Sequence, residues 1–461
     1  MQIIGGRSLR TGLMLAAVLA GVSCGGGGGS ESPASLPTLA SIALSPLTVS
    51  LAPGATQQLT VTGTYSDGST QTLSSGETFS SSNTAVASVS AAGLVTVAAA
   101  AATGASATIT ATDTASGHTT AAADSTVVTV GAPVAVGPPT TGSVAAATAT
   151  ASNNALCTAI QPFYWEIGDK AGALASGSVG TGSSGGQVLA STRLSIASAS
   201  KWIYGTYIVQ VRGAAAALTA QDINFMHFTS GYTNMGDSTT TSTCPAPATG
   251  PNTVNVCLAQ TNSANGLPYT YQNPATEGTF DYDSGHLENH ASQLGGLGDV
   301  AVGQLGATIG DLLGSNIDFV YTEPLMAGGI YTSANDYTVV LRGILSGALF
   351  MHDALGTSPV CTRPSAPGCN ASFSPIPEAW HYSIAHWVED DPATNGDGAF
   401  SSAGAFGFYP WVEAAKNYYG VLSREAQTGN GEQQGYASVQ CGRLIRHAWD
   451  AGLEQTGALP Q

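Results

Sequence analysis

Ser195-Ile196-Ala197-Ser198-Ala199-Ser200-Lys201-Trp202-Ile203 places a serine three residues before a lysine where an apolar helical pattern begins. On a helix, positions i and i+3 share a face, so the Lys201 side chain is expected beside the Ser198 hydroxyl. Such a pair can form an acyl-enzyme: a neutral lysine takes the hydroxyl proton as the serine oxygen attacks a carbonyl carbon. The competing reading is a capped helix start, with Ser198 or Ser200 binding backbone N–H groups and Lys201 in solvent. Serine is abundant in this chain, so the surrounding sequence must decide.

A serine–lysine pair needs a further proton carrier and an oxyanion site. Downstream, Phe280-Asp281-Tyr282-Asp283-Ser284-Gly285-His286-Leu287 offers a tyrosine in a short turn before a helix. Ser401-Ser402-Ala403-Gly404-Ala405-Phe406-Gly407-Phe408-Tyr409-Pro410-Trp411 offers a glycine-bounded strand. Two further blocks complete the series: Asp222-Ile223-Asn224 through His227-Phe228-Thr229-Ser230-Gly231, between the serine and the tyrosine turn, and Ala327-Gly328-Gly329-Ile330-Tyr331-Thr332-Ser333-Ala334-Asn335-Asp336-Tyr337, between that turn and the glycine-bounded strand. In this order the blocks resemble the β-lactamase-related serine hydrolases, the group of class C β-lactamases, D-alanyl-D-alanine peptidases and esterases of the same fold. The resemblance spans about residues 160–425.

The resemblance implies Ser198 as nucleophile, Lys201 as general base and Tyr282 as the second proton carrier. It implies an oxyanion hole from the backbone N–H groups of Ser198 and Ala405, and chemistry with no metal or organic cofactor. Ser284 and His227 take supporting places, His227 as a packed histidine that positions its loop. Two departures narrow the substrate. Ser402-Ala403-Gly404 stands where lactamases and peptidases carry Lys-Thr-Gly or a histidine, so the cation for a substrate carboxylate is missing. Ser284 replaces an asparagine that contacts a substrate amide. Both changes point away from β-lactams and D-Ala-D-Ala peptides and toward a neutral ester or amide.

Other motifs compete less well. Gly182-Ser183-Ser184-Gly185-Gly186 fits GxSxG, but no apolar strand precedes it, and the nucleophile elbow needs strand, turn and helix. His286 and His290 share a helical face, yet Glu288 is misplaced for a zincin and a structural role is expected. Asp391 to Gly398 resembles a calcium loop faintly, with Ala393 at a ligand position, and reads as a solvated turn.

The chain has 461 residues, 9% of them charged, and a net charge of −17, which repels nucleic acid phosphates and excludes that partner. Residues 1–24 read as a lipoprotein signal: Arg7 and Arg10, an apolar run from Leu13 to Val22, then Gly21-Val22-Ser23-Cys24. Lipidation of Cys24 would anchor an exported protein to the outer membrane, facing the periplasm or the cell surface. A flexible tether occupies 25–37. From 38 to 131, short alternating runs such as Leu59-Thr60-Val61-Thr62, Leu94-Val95-Thr96-Val97 and Thr108-Ile109-Thr110-Ala111 predict a β-sandwich, with turns at Asp67-Gly68 and Ala92-Gly93. The order Ser41-Ile42, Leu59-Thr60-Val61, Tyr65-Ser66-Asp67-Gly68-Ser69, Ser82-Asn83 and Gly93-Leu94-Val95 resembles the group 2 bacterial immunoglobulin-like domain, a stalk or adhesive module that can bind a cell-surface polymer.

A linker is expected over 132–154 and an α+β hydrolase domain over 155–461, strands first, helices in the middle, then strands and a last helix. One helical pattern is expected from His286 to Leu313. The even set of cysteines after Cys24 predicts disulfides in an oxidising compartment. Cys244 with Cys257 and Cys361 with Cys369 close short loops, which leaves Cys157 with Cys441. The insertion from Tyr232 to Pro274 is expected to border the site. The overall expectation is an exported serine hydrolase on an ester or amide substrate. A cell-wall peptidase or lactamase is the enzymic alternative, and an inactive surface adhesion protein the alternative of another class.

Overall fold

The computed structural model describes residues 37–458 except 52–55, 74–75, 99–100, 103, 131–140, 183–184, 237–243, 245, 367, 395 and 427–428. The expected signal, Cys24, nearly all of the tether and the serines of the GxSxG match therefore lie outside the described residues.

The N-terminal part is a β-sandwich. Leu39–Ser45, Thr60–Tyr65 and Thr70–Leu73 pair antiparallel. A second sheet runs in the order Thr48–Leu51, Thr126–Val130, Ser106–Asp113 and Glu77–Ser81, its first two strands parallel. Thr56–Gln58, Leu94–Val97 and Ala87–Val89 form a third. Period-two alternation turns Ala107, Ile109 and Ala111 inward, where they join Ile42, Val61, Val95 and Val128 in one core. The Asp67-Gly68 turn reads directly in the structure: Gly68 adopts φ +81° and Asp67 accepts the Ser69 N–H.

The C-terminal part is α+β. It begins earlier than the expected boundary, because Thr141–Asn153 is a helix, α1, where a linker was read from its Pro, Thr and Ala content. Alanine favours helix, and Ala147 and Ala151 are buried in the main core. An antiparallel sheet follows, built from β1 (Phe163–Gly168), β2 (Ala173–Val179), β3 (Val360–Cys361), β4 (His381–Tyr382), β5 (Trp387–Glu389), β6 (Ala399–Ser401), β7 (Tyr409–Val412) and β8 (Tyr419–Ser423). Its spatial order is β2-β1-β8-β7-β6-β5-β4-β3, so the chain leaves after one hairpin and returns to complete the sheet.

Between those visits come the helices α2 (Ala199–Arg212), α3 (Gly285–Gln293), α4 (Val302–Leu313) and α5 (Ala334–Leu345), and α6 (Gly431–Ala451) closes the fold. The single pattern expected from His286 to Leu313 is two helices. Gly296 turns at φ +71°, and a side chain at Gly295 would meet the Tyr204 hydroxyl at 2.5 Å. Tyr409 and Trp411 share the sheet face that α6 covers: a Cβ at Gly442 of α6 would lie 2.5 Å from the Tyr409 ring. Tyr419 points to the other face, toward Arg342 of α5.

Disulfides join Cys157 to Cys441, Cys244 to Cys257 and Cys361 to Cys369. No described helix is long and apolar enough to cross a membrane.

Candidate active site

Helix α2 is buried on every side from Ala199 to Val209, its polar Ser200, Lys201 and Thr206 included. A Cβ at Gly205 would come within 2.7 Å of Ala385, so the helix passes close beneath the loop before β5. Its first turn differs from a capped start. Ser198 makes no side-chain cap, and the Ser200 hydroxyl accepts the Ile330 N–H at 3.3 Å. Lys201 is 1% exposed. The solvated-lysine reading therefore does not describe this turn.

Lys201 Nζ donates to Ser198 Oγ at 2.9 Å and to the Ala327 carbonyl at 3.0 Å. It also stands 4.7 Å from the centre of the Tyr282 ring. A buried carboxylate fixes the Ala327 segment: Glu288 of α3 accepts the N–H groups of Met326 and Ala327 at 2.7 and 2.9 Å. Ala197, just before the serine, holds the left-handed conformation at φ +43°, strain of about 1–3 kcal/mol that the packing sustains.

The tyrosine turn is held from three directions. The Tyr282 N–H donates to the Phe373 carbonyl, and its ring stacks on Trp387 at 5.2 Å and tilts against Phe228 at 5.3 Å. Asp283 accepts the Gly285 N–H and those of Met235 and Gly236. These contacts place Met235 and Gly236 of the Tyr232–Pro274 insertion against the turn; among the insertion's described residues none lines the cavity that holds Ser198.

The Ser402-Ala403-Gly404 block meets the nucleophile segment directly. Ser402 donates its hydroxyl to the Ser198 carbonyl at 3.0 Å. A Cβ at Gly404 would lie 2.1 Å from the Ile196 carbonyl, so only glycine permits this approach. Ala403, Gly404 and Ala405 line the same cavity as Ser198, Lys201 and Tyr282. Within the described residues neither the Ser198 nor the Ala405 N–H finds an acceptor. Ser284 also lines the cavity; it is 2% exposed and its hydroxyl has no partner among the described residues.

The other candidates are structural. His227 is buried and does not line the cavity, and burial alone pushes it down to about 4. His286 joins the Ser230 hydroxyl to the Asp281 carbonyl, while His290 joins the Tyr204 hydroxyl to Asp222. No group of metal-binding side chains occurs among the described residues. The turn at Asp391 to Gly398 is solvated in part: Ala393 and Asp397 are exposed, while Asp391 is buried and accepts backbone N–H groups, and Asp397 pairs with Arg446 of α6.

The sequence reading missed Glu288 as a support, the Ala327 carbonyl, and the cavity residues Trp387, Ile376, Glu432 and Tyr436. The Gly328-Gly329 step was the one local signal for the Ala327 segment. A Cβ at Gly329 would lie 2.4 Å from the Glu323 carbonyl.

Among solved structures, an octameric penicillin-binding protein homologue from Pyrococcus abyssi is 12% identical, covering 66% of this chain and 76% of that one, with a TM-score of 0.46. A D-stereospecific amidohydrolase from Streptomyces is also 12% identical, over 65% and 98%, with a TM-score of 0.41. A β-lactamase/D-alanine carboxypeptidase from Pseudomonas syringae is 12% identical, over 61% and 94%, with a TM-score of 0.40. No curated protein sequence matches the chain. Residues 39–123 match the model of the bacterial Ig-like domain (group 2), the group that the order of features from Ser41 to Val95 resembles.

Proposed function

We propose that this protein is an exported serine hydrolase that cleaves a carboxylic ester or amide through an acyl-Ser198 intermediate. The observation that carries the reading is the 2.9 Å contact between Lys201 Nζ and Ser198 Oγ inside a cavity that Tyr282 also lines.

In the first half-reaction Ser198 Oγ bonds to the substrate carbonyl carbon, the C=O π pair moves onto oxygen, and the hydroxyl proton passes to neutral Lys201. The Ser198 and Ala405 N–H groups stabilise the oxyanion, each by about 3 kcal/mol. Collapse restores the carbonyl and breaks the bond to the alcohol or amine, which takes the proton through Tyr282. Water then attacks the Ser198 ester, giving up its proton by the same route, and the acid departs as Ser198 regains its hydrogen. The Ser284 hydroxyl is placed to hydrogen bond the bound substrate.

The family match over residues 39–123 supports an Ig-like module over 38–131 that presents the hydrolase from a surface, and the run from Leu13 to Val22 before Ser23-Cys24 supports Cys24 as the lipid anchor. Metabolic labelling with a radioactive fatty acid tests the anchor, and an unlabelled mature protein removes it. The hydrolase reading is tested by intact mass of the full chain after treatment with a fluorophosphonate. A single adduct on wild type and none on Ser198→Ala supports it; no adduct on folded wild type favours the inactive binding protein.

A further inference from the structure

The cavity around Ser198 carries an unusual charge pattern. Among its described lining residues the charged side chains are Lys201, engaged with Ser198, and Glu432 in the first turn of α6. No arginine or histidine is among these described lining residues. A site built for a carboxylate-bearing substrate would show the opposite sign.

The start of α6 forms part of the cavity wall, with Glu432, Gly435 and Tyr436 among its lining residues. Gly435 lets α6 approach the Gly404 turn so closely that a Cβ would lie 2.7 Å from the Gly404 carbonyl. Glu432 and Tyr436 stand four residues apart, on one helical face, and both line the cavity. The Tyr436 hydroxyl donates to buried Glu378, which Arg443 also holds, so the ring is fixed from behind. Phe406 adds a second aromatic surface: it lines the cavity, remains 40% exposed, and its ring lies 3.2 Å from a Cβ built at Gly431, beside Glu432.

A carboxylate lining one cavity with two aromatic side chains is the chemistry that holds an ammonium group, by charge and by the negative ring faces. We propose that Glu432, Tyr436 and Phe406 form a subsite for an ammonium group on the substrate. The subsite rests on the hydrolase reading for its place in a reaction, and it narrows the ester or amide from neutral to cationic. The positive amino end of α6 offsets part of the Glu432 charge, so the preference expected is about tenfold rather than far larger.

Binding separates this proposal from the chemistry. In the full-length Ser198→Ala protein, 4-phenylbutylammonium, 4-phenylbutanol and 4-phenylbutyrate are compared by calorimetry, then again after adding Glu432→Gln or Glu432→Lys. The expected order is cation, alcohol, anion, with the cation about tenfold tighter than the alcohol. Glu432→Gln should bring that ratio to within about twofold, and Glu432→Lys should reverse the order, in proteins whose circular dichroism matches the parent. Equal binding of all three, no binding of any, or a ratio that Glu432→Gln leaves intact overturns the subsite. A cation preference in a protein that takes no fluorophosphonate keeps the subsite and removes the hydrolase reading; an adduct without the preference does the reverse.

Discussion

Ser402 hydrogen bonds through its hydroxyl to the Ser198 carbonyl, so the segment after β6 is fastened to the residue that bears the candidate nucleophile. Ser402→Ala loses this bond while the glycine approach at Gly404 remains. A stability loss of about 1 kcal/mol is expected. Fluorophosphonate labelling should slow several-fold as the Ala405 N–H drifts from its place. An unchanged labelling rate would show that the bond only stabilises.

Lys201→Met removes the group that would take the Ser198 proton while roughly conserving volume. Labelling should fall roughly a thousandfold, in line with loss of a positioned base. Stopped-flow or discontinuous mass measurements over hours provide the comparison, and a fall of less than tenfold argues for another base.

Glu288 supports Lys201 at one remove, through the Ala327 backbone. Glu288→Gln keeps one acceptor but turns amide hydrogens toward an N–H, at a cost of about 2–3 kcal/mol. Melting temperature should fall. If Glu288 also positions the Ala327 carbonyl, the pH profile of labelling should move relative to wild type, which a purely structural role would not produce.

Acid should destabilise the protein well above the carboxylate range. Burial pushes His286 and His386 down to about 3 and His227 to about 4. Below pH 6.5 the unfolded chain therefore binds protons that the folded chain refuses, and stability falls as pH falls. Each such histidine contributes up to about 1.4 kcal/mol per pH unit. His381 acts in the opposite sense: burial lowers it, but Asp390 raises it overall, so its contribution is lost as pH rises through its folded value. His290 and His447 are lowered by burial as well, so five lowered histidines outweigh His381 and Asp450, which burial pushes up to about 6, and thermal melts from pH 7.5 to 5 should show a steady decline. A level melting temperature would contradict this.

The Cys157–Cys441 bridge spans 284 residues of sequence and ties the start of the α+β domain to α6. Replacing both cysteines with alanine should cost roughly 2–5 kcal/mol. The check is denaturant unfolding with and without the bridge, and a loss below 1 kcal/mol would assign the stability to packing of α1 against α6.

Much of the architecture could be read locally. Strand alternation such as Ala107, Ile109 and Ala111 depends on neighbours two residues apart, and the Ser198–Lys201 face on a three-residue spacing. The errors came where local content misled. The alanines of 141–153 read as linker because nothing near them in sequence shows the α6 surface that buries Ala147 and Ala151. In the 232–274 insertion, local content gives no sign that the Met235 and Gly236 N–H groups serve Asp283.

From sequence alone came the two-part division, the sandwich, the α+β order and the shared helical face of Ser198 and Lys201, because periodicity and short spacing are properties of the chain itself. Tertiary structure alone decided that Lys201 is buried against the Ala327 carbonyl, that Glu288 holds that carbonyl's segment, and that Glu432 shares a cavity with Ser198. These residues lie tens to hundreds of positions apart. They meet only because burying α2 between the sheet and its neighbouring helices draws α3, the Gly404 turn and α6 onto one end of it, a contact pattern set by packing rather than by any local spacing.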